Sequence, residues 1–138
     1  MIYCGIDPGK SGAIAMTDGS HVEWILNRET EHDIWDWFES WDPVCAVIER
    51  VGARPGQGVS SMFAFGQSYG FLRGLLVANT VRFDTVTPAT WQGVMKCRSR
   101  GDKNVTKSRC QQLYPAFKIT HANADAILIA HYCYEVSQ

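Results

Sequence analysis

Residues 2–15 constrain the fold more than any other segment. They read Ile2-Tyr3-Cys4-Gly5-Ile6-Asp7, then Pro8-Gly9-Lys10-Ser11-Gly12, then Ala13-Ile14-Ala15. Two apolar runs joined by a Gly- and Pro-punctuated turn predict a β-hairpin. Asp7 ends its first strand. A carboxylate is not packed into a sheet without a partner, so the strand presents it at the rim, beside backbone opened by Gly9 and Gly12. Two further acids end apolar runs in the same way. Glu49 follows Cys45-Ala46-Val47-Ile48, and Asp125 opens Ala126-Ile127-Leu128-Ile129-Ala130. Three acids on core-forming segments, far apart in sequence, point to a carboxylate-built metal site. His121, four residues before Asp125, shares its face if the helix extends back that far, and otherwise hangs from the preceding loop.

Each residue also has a plainer role. Asp7 before Pro8-Gly9 can initiate a turn. Glu49 can pair with Arg50 or Arg54, Asp125 can favour its helix N-terminus, and His121 can be an ordinary loop histidine. These roles explain the residues singly but not jointly, because all three acids would have to end core segments by accident.

The remaining chain alternates strands and helices. His21 to Leu26 predicts a third strand. Thr30 can cap a helix whose apolar face runs through Ile34, Trp35, Trp37, Phe38 and Trp41, where the tryptophans read as core. Val44 to Glu49 predicts a buried strand, parallel to the first because a helix precedes it. A flexible loop over 52–58 leads into a long helix from Val59 to Val77. Gly66, Gly70 and Gly74 recur on one face of that helix, which implies close approach of another backbone, either the sheet or the same helix of a second copy. Val81 to Val86 predicts a strand and Pro88 to Met95 a short helix. Thr106 can cap a helix to Tyr114, and Asn123 one to Glu135. The pattern is three-layer α/β within a single domain over 1–138.

The formal net charge of −1 identifies no partner, but the charge is uneven. Residues 96–109 hold six basic residues and one acid, and the N-terminal half holds most of the carboxylates. That asymmetry suggests a polyanion partner. The five cysteines lie at scattered spacings without a zinc pattern, and Cys4, Cys45 and Cys133 sit in apolar runs. No apolar run is long enough to span a bilayer and no secretory pattern precedes Asp7, so a reducing cytoplasmic setting without membrane contact is expected.

Five segments, in order, resemble the motifs of RuvC-type Holliday junction resolvases, in their short phage-borne branch. They are Gly5-Ile6-Asp7-Pro8-Gly9, Val47-Ile48-Glu49-Arg50-Val51, Phe65-Gly66-Gln67-Ser68-Tyr69-Gly70, Val86-Thr87-Pro88-Ala89-Thr90-Trp91 and Ala124-Asp125-Ala126-Ile127-Leu128-Ile129-Ala130. The resemblance implies an RNase H-like fold with a mixed central sheet flanked by helices. It implies a homodimer that resolves four-way DNA junctions by paired nicking, using Mg²⁺ or Mn²⁺, two ions per site, and no nucleotide cofactor. Asp7, Glu49 and Asp125 carry over as metal ligands. Lys107 resembles the family's basic residue near the scissile phosphate. The helix carrying Met62, Phe63, Gly66, Tyr69 and Gly70 resembles its dimer helix. Lys103, Lys107, Arg109, Arg98 and Arg100, with Arg54, are the expected contacts to DNA phosphates.

Two departures stand out. The family's usual fourth acid is replaced by Ala122, which leaves His121 as the candidate fourth ligand, offset by one residue and tilting preference toward Mn²⁺. Gly52 and Ala53 stand where some relatives carry an aromatic. Competing readings on the same residues are an actin-like ATPase lobe, a junction-binding protein without catalysis, and a less specific flap or branched-DNA nuclease.

Overall fold

The computed structural model describes residues 1–53 and 55–138. Five strands form one sheet: β1 (Tyr3–Asp7), β2 (Ala13–Thr17), β3 (Val22–Leu26), β4 (Cys45–Glu49) and β5 (Phe83–Val86), in the order β3-β2-β1-β4-β5. The first three form an antiparallel meander. Helix α1 (Glu31–Glu39) then carries the chain over the sheet, so β4 joins β1 in parallel, as the intervening helix requires. Helix α2 (Val59–Ala78) makes the same kind of crossover to β5. Helices α3 (Pro88–Val94), α4 (Lys103–Leu113) and α5 (Ala124–Val136) complete the chain.

The two-residue period of the strands divides the core into two layers. Cys4, Ile6, Ile14, Met16, Ala46 and Ile48 face α1 and α2, packing with Ile34, Phe38, Leu72, Leu75 and Leu76. Tyr3, Ala13, Ala15 and Val47 face the other side, with Trp91, Cys110 and nearly all of α5. This is the mixed sheet with helices on both faces that the sequence predicts. The tryptophans of α1 take rim positions around buried Ile34 and Phe38. Among the described residues no helix is long and apolar enough to cross a membrane.

Helix α5 is apolar on every side because it lies between the sheet and the other helices of its layer. Ile127, Leu128 and Ile129 are fully buried, and each contributes about 2 kcal/mol of hydrophobic stabilisation. Gly5 makes this seat possible. A Cβ at Gly5 would stand 2.1 Å from the Ala130 nitrogen and 2.6 Å from the Ala126 oxygen, so the α5 backbone rests directly on the β1 backbone.

Two boundaries differ from expectation. Helix α4 starts at Lys103, not beyond Thr106. Asp102 caps it by accepting a hydrogen bond from the Asn104 N–H at 3.0 Å, and Thr106 is buried within the helix. Aspartate is the stronger cap of the two. Strand β5 starts at Phe83 instead of Val81, because Val81 belongs to the end of α2. Its N–H donates to the Leu76 carbonyl at 2.9 Å while Thr80 donates to Val77 at 3.1 Å, with Thr80 at φ 55. That is the Schellman closure, here without the glycine that usually marks it.

Replacing Gly5 with alanine is expected to destabilise the protein by about 3 kcal/mol, since a core β-carbon cannot displace a helix backbone cheaply. Urea unfolding of Gly5→Ala measures this. An unchanged midpoint would show that α5 does not rest on β1.

Candidate functional site

Strand register brings the first two acids together. Ile6 pairs with Ile48 across parallel β1 and β4, so Asp7 and Glu49 follow at adjacent strand ends. By strand alternation both point to the α5 face, as Gly5 does. The turn after Asp7 is gripped from outside: the Asn27 side-chain amide donates to the Asp7 and Gly9 carbonyls, each at 2.8 Å. Gly12 leaves room for the acid, since a Cβ there would meet the Asp7 carbonyl oxygen at 2.1 Å and its carboxyl carbon at 3.0 Å.

Glu49 is held by α3. Val86 lies beside it on β5, Thr87 caps the next helix with Pro88 in its first turn, and Trp91 then donates its indole N–H to Glu49 Oε2 at 2.7 Å. Trp91 is fully buried, so this hydrogen bond fixes the carboxylate. The plainer pairing of Glu49 with Arg50 does not form among the described residues.

Asp125 enters from the first turn of α5. The preceding turn is clamped by buried Asn123, which accepts from the Thr120 N–H at 2.8 Å and donates to the Lys118 carbonyl at 3.0 Å. Asn123 therefore works as a clamp on the loop and makes no side-chain cap bond to the helix. The Thr106 hydroxyl lies 3.3 Å from the Lys103 carbonyl and also serves the Asp125 carboxylate. His121 stays outside the helix, exposed in the turn, with its charge close enough to draw the Asp125 pKa down.

Electrostatics show that these groups share one neighbourhood. Burial pushes the Asp7 carboxyl well above its ordinary range, and the charges of Asp125 and Glu49 push it further. Glu49 is raised by burial and by Asp125, against the Trp91 hydrogen bond. Asp125 is raised by burial, against the Thr106 hydrogen bond. Lys103 acts on all three in the opposite sense. Among the described residues the site thus gathers three partly desolvated carboxylates around one shared cation, Lys103. Oxygen donors of this kind suit hard divalent ions, and the mutual repulsion is what such an ion would relieve. As the side chains stand, no group of three or more His, Cys, Asp or Glu among the described residues is closed around an ion position.

The basic residues fall in different places. Lys103 lies in the first turn of α4 and Lys107 one turn on, half-buried. Arg109 is tied back into the fold, donating from Nε to the Met95 carbonyl at 2.8 Å and from Nη1 to Gln112 at 3.3 Å. Arg98 lies over Gly93, and Arg100 is exposed at φ 50. Arg54 lies outside the described residues. On α2, Gly66 and Gly70 face open space and Phe63 is 67% exposed, whereas Met62 and Tyr69 are half-buried beside Val51 and Phe65.

The contacts that Trp91, Thr106 and Asn27 make at the candidate site, and the shared position of Lys103, were not apparent from sequence. Trp91 sits in a recognisable Thr-Pro helix start, but nothing there announces its carboxylate partner. Asn27 follows a strand with no motif around it.

A carboxyl whose pKa is raised by folding holds a proton that the unfolded chain has already released. Its contribution to stability therefore falls as pH rises from the ordinary carboxylate range through the raised value. In the presence of chelator, Asp7→Asn is expected to melt several degrees above wild type at pH 7, with the gap closing near the ordinary aspartate pKa of about 4. Equal midpoints at pH 7 would mean that Asp7 is not under this strain.

No protein-family model matches the sequence, and no curated protein does. Solved structures do. Thermus thermophilus RuvC in complex with Holliday junction substrate aligns over 96% of this chain and 92% of its own, with TM-score 0.68 at 14% identity. A second Thermus thermophilus RuvC structure aligns over the same shares with TM-score 0.68 at 15% identity. The yeast mitochondrial Holliday junction resolvase Ydc2 aligns with TM-score 0.49 at 15% identity, over 95% of this chain and 78% of that one. The five-stranded mixed sheet and its helices are thus the RNase H-like α/β fold of RuvC.

Proposed function

We propose that this protein is a divalent-metal-dependent endonuclease that resolves four-way DNA junctions by paired nicking as a two-fold dimer. The observation that carries the reading is the convergence of Asp7, Glu49 and Asp125 with Lys103 at one rim. It occurs on a fold shared with a RuvC whose structure holds a Holliday junction.

Asp7, Glu49 and Asp125 would hold Mg²⁺ or Mn²⁺, two ions per site, with His121 at the edge as a fourth ligand. When bound, the ions supply Lewis acidity toward the attacking water and the leaving oxygen of a phosphodiester. The chain's own residues prepare that chemistry. Trp91 and Thr106 fix two of the carboxylates, and Asn27 fixes the turn that bears the third. Lys103 and Lys107, four residues apart on α4, attract the phosphate backbone, and Arg98 and Arg100 extend the basic rim. A cation beside the scissile phosphate stabilises the charge that develops during cleavage.

The dimer rests on α2. Val59 and Phe63 are 85% and 67% exposed, Val77 is 66% exposed, and side chains at Gly66, Gly70 and Gly74 would meet none of the described residues within 4 Å. Their spacing puts them on one helix face, which the protomer leaves uncovered. Two such faces pairing isologously would set two sites against two strands.

The test is cleavage of four-way junction, flap, fork and duplex DNA with Mg²⁺ and with Mn²⁺. Junctions are expected to be nicked fastest. Asp7→Asn, Glu49→Gln and Asp125→Asn are each expected to lose at least ~100-fold in rate while still binding junctions, because phosphate contacts supply most of the affinity. Near-wild-type nicking by any one variant would remove that residue from the site. Flaps cut as fast as junctions would leave only a general branched-DNA nuclease.

Gly70→Leu tests the dimer, read by light scattering and circular dichroism. A folded monomer that nicks poorly is the expected result, and a folded dimer with full activity would place the seam elsewhere.

A further inference from the structure

The pole of the molecule opposite the carboxylates carries a second cluster. Cys45 opens β4, whose other end bears Glu49, and Cys133 lies late in α5, whose first turn bears Asp125. The two Sγ atoms are 3.5 Å apart. Cys133 Sγ is also 3.8 Å from the Cys45 carbonyl, and Ser137 Oγ is 3.5 Å from Cys45 Sγ. Cys4 is a strand neighbour, but it packs among Ile6 and Met16 on the other sheet face and is fully buried. Cys45 and Cys133 are therefore the pair that meets on this face.

The pair is also reachable. A cavity of about 250 Å³ is lined by Cys45, Cys133, Arg82, Asp84 and Ser137, and three of these residues are exposed to solvent. Cys45 is half-buried there, and Cys133 only 2% exposed. Burial, and then the neighbouring Cys45, push the Cys133 thiol upward. Cys133 thus stays protonated while Cys45 meets solvent first.

We propose that Cys45 and Cys133 form a peroxide-sensitive dithiol that closes to an intramolecular disulfide and staples β4 to α5. The Cys45 thiolate attacks one peroxide oxygen, the O–O bond breaks, and the departing hydroxide takes up a proton to become water. Cys45 is then a sulfenic acid. The Cys133 sulfur attacks the Cys45 sulfur, the S–O bond breaks, and a second water leaves with the Cys133 proton. Two thiols are oxidised and one peroxide is reduced to two waters. The sulfurs need to close from 3.5 Å to the disulfide length of about 2.0 Å. Because the bond spans most of the chain, it restricts the unfolded state strongly.

The experiment uses the reduced full-length protein, exposed to a few equivalents of hydrogen peroxide, alkylated, and peptide-mapped without reductant. The expected result is a Cys45–Cys133 linked peptide within one chain. A thermal midpoint raised by roughly 5 °C should accompany it, and dithiothreitol should reverse both. Cys45→Ala and Cys133→Ala should each lose the linked peptide and the shift. The mapping on wild-type protein decides even if a variant folds poorly. Both thiols still open to alkylation after peroxide, a linkage through any other cysteine, or a linkage between two chains would overturn the proposal.

Discussion

Everything at the candidate site depends on one backbone contact, the seating of α5 on β1 at Gly5. No side chain separates the two elements there, because a Cβ would stand 2.1 Å from the Ala130 nitrogen. The contact fixes both the depth and the azimuth of the helix. Asp125 then projects from its first turn toward the strand ends that carry Asp7 and Glu49. The apolar residues around α5 hold it in place, but the glycine sets where it is held. A larger residue at this position would lift the helix, and with it the third carboxylate.

The site itself is a local expense in stability. Asp7, Glu49 and Asp125 all have raised pKa values because burial, joined at Asp7 and Glu49 by repulsion from neighbouring acids, outweighs the hydrogen bonds and the charge of Lys103. Structural acids are normally found in the opposite state, lowered by partners, as Asp18 is by the His21 and Ser20 backbone amides, to about 2. Strained, converging acids are the pattern expected of a functional site, and the large apolar core on both sheet faces supports it. The thiol pair at the far end of β4 and α5 lies on the same two elements, with its sulfurs in contact at 3.5 Å.

Much of this was legible in the residues. Period-two alternation, the Pro-Gly turn after Asp7 and the helix between parallel strands specify the sheet, because they act locally. The acids at the ends of apolar runs marked a candidate site for the same reason. What stayed hidden depends on tertiary contacts. Thr106 looked like a helix cap, whereas Asp102 takes that role and frees Thr106 for Asp125. The end of α2 at Thr80 carries no glycine, so β5 seemed to begin two residues early. Lys103 resembled any other member of a basic loop until α4 turned it toward all three acids. The glycines of α2 left two partners open by sequence, and the open space around them excludes the protein's own sheet.

Asp7, Glu49 and Asp125 are proposed to form one divalent-ion site that depends on the seating of α5 on β1. Calorimetric titration of the DNA-free protein with Mn²⁺ tests it most directly. Wild type is expected to bind saturably, and Asp125→Asn, which leaves both strand acids in place, is expected to lose at least ~10-fold in affinity. Undiminished Mn²⁺ binding by Asp125→Asn would contradict the claim, because the helix would then contribute nothing to the site.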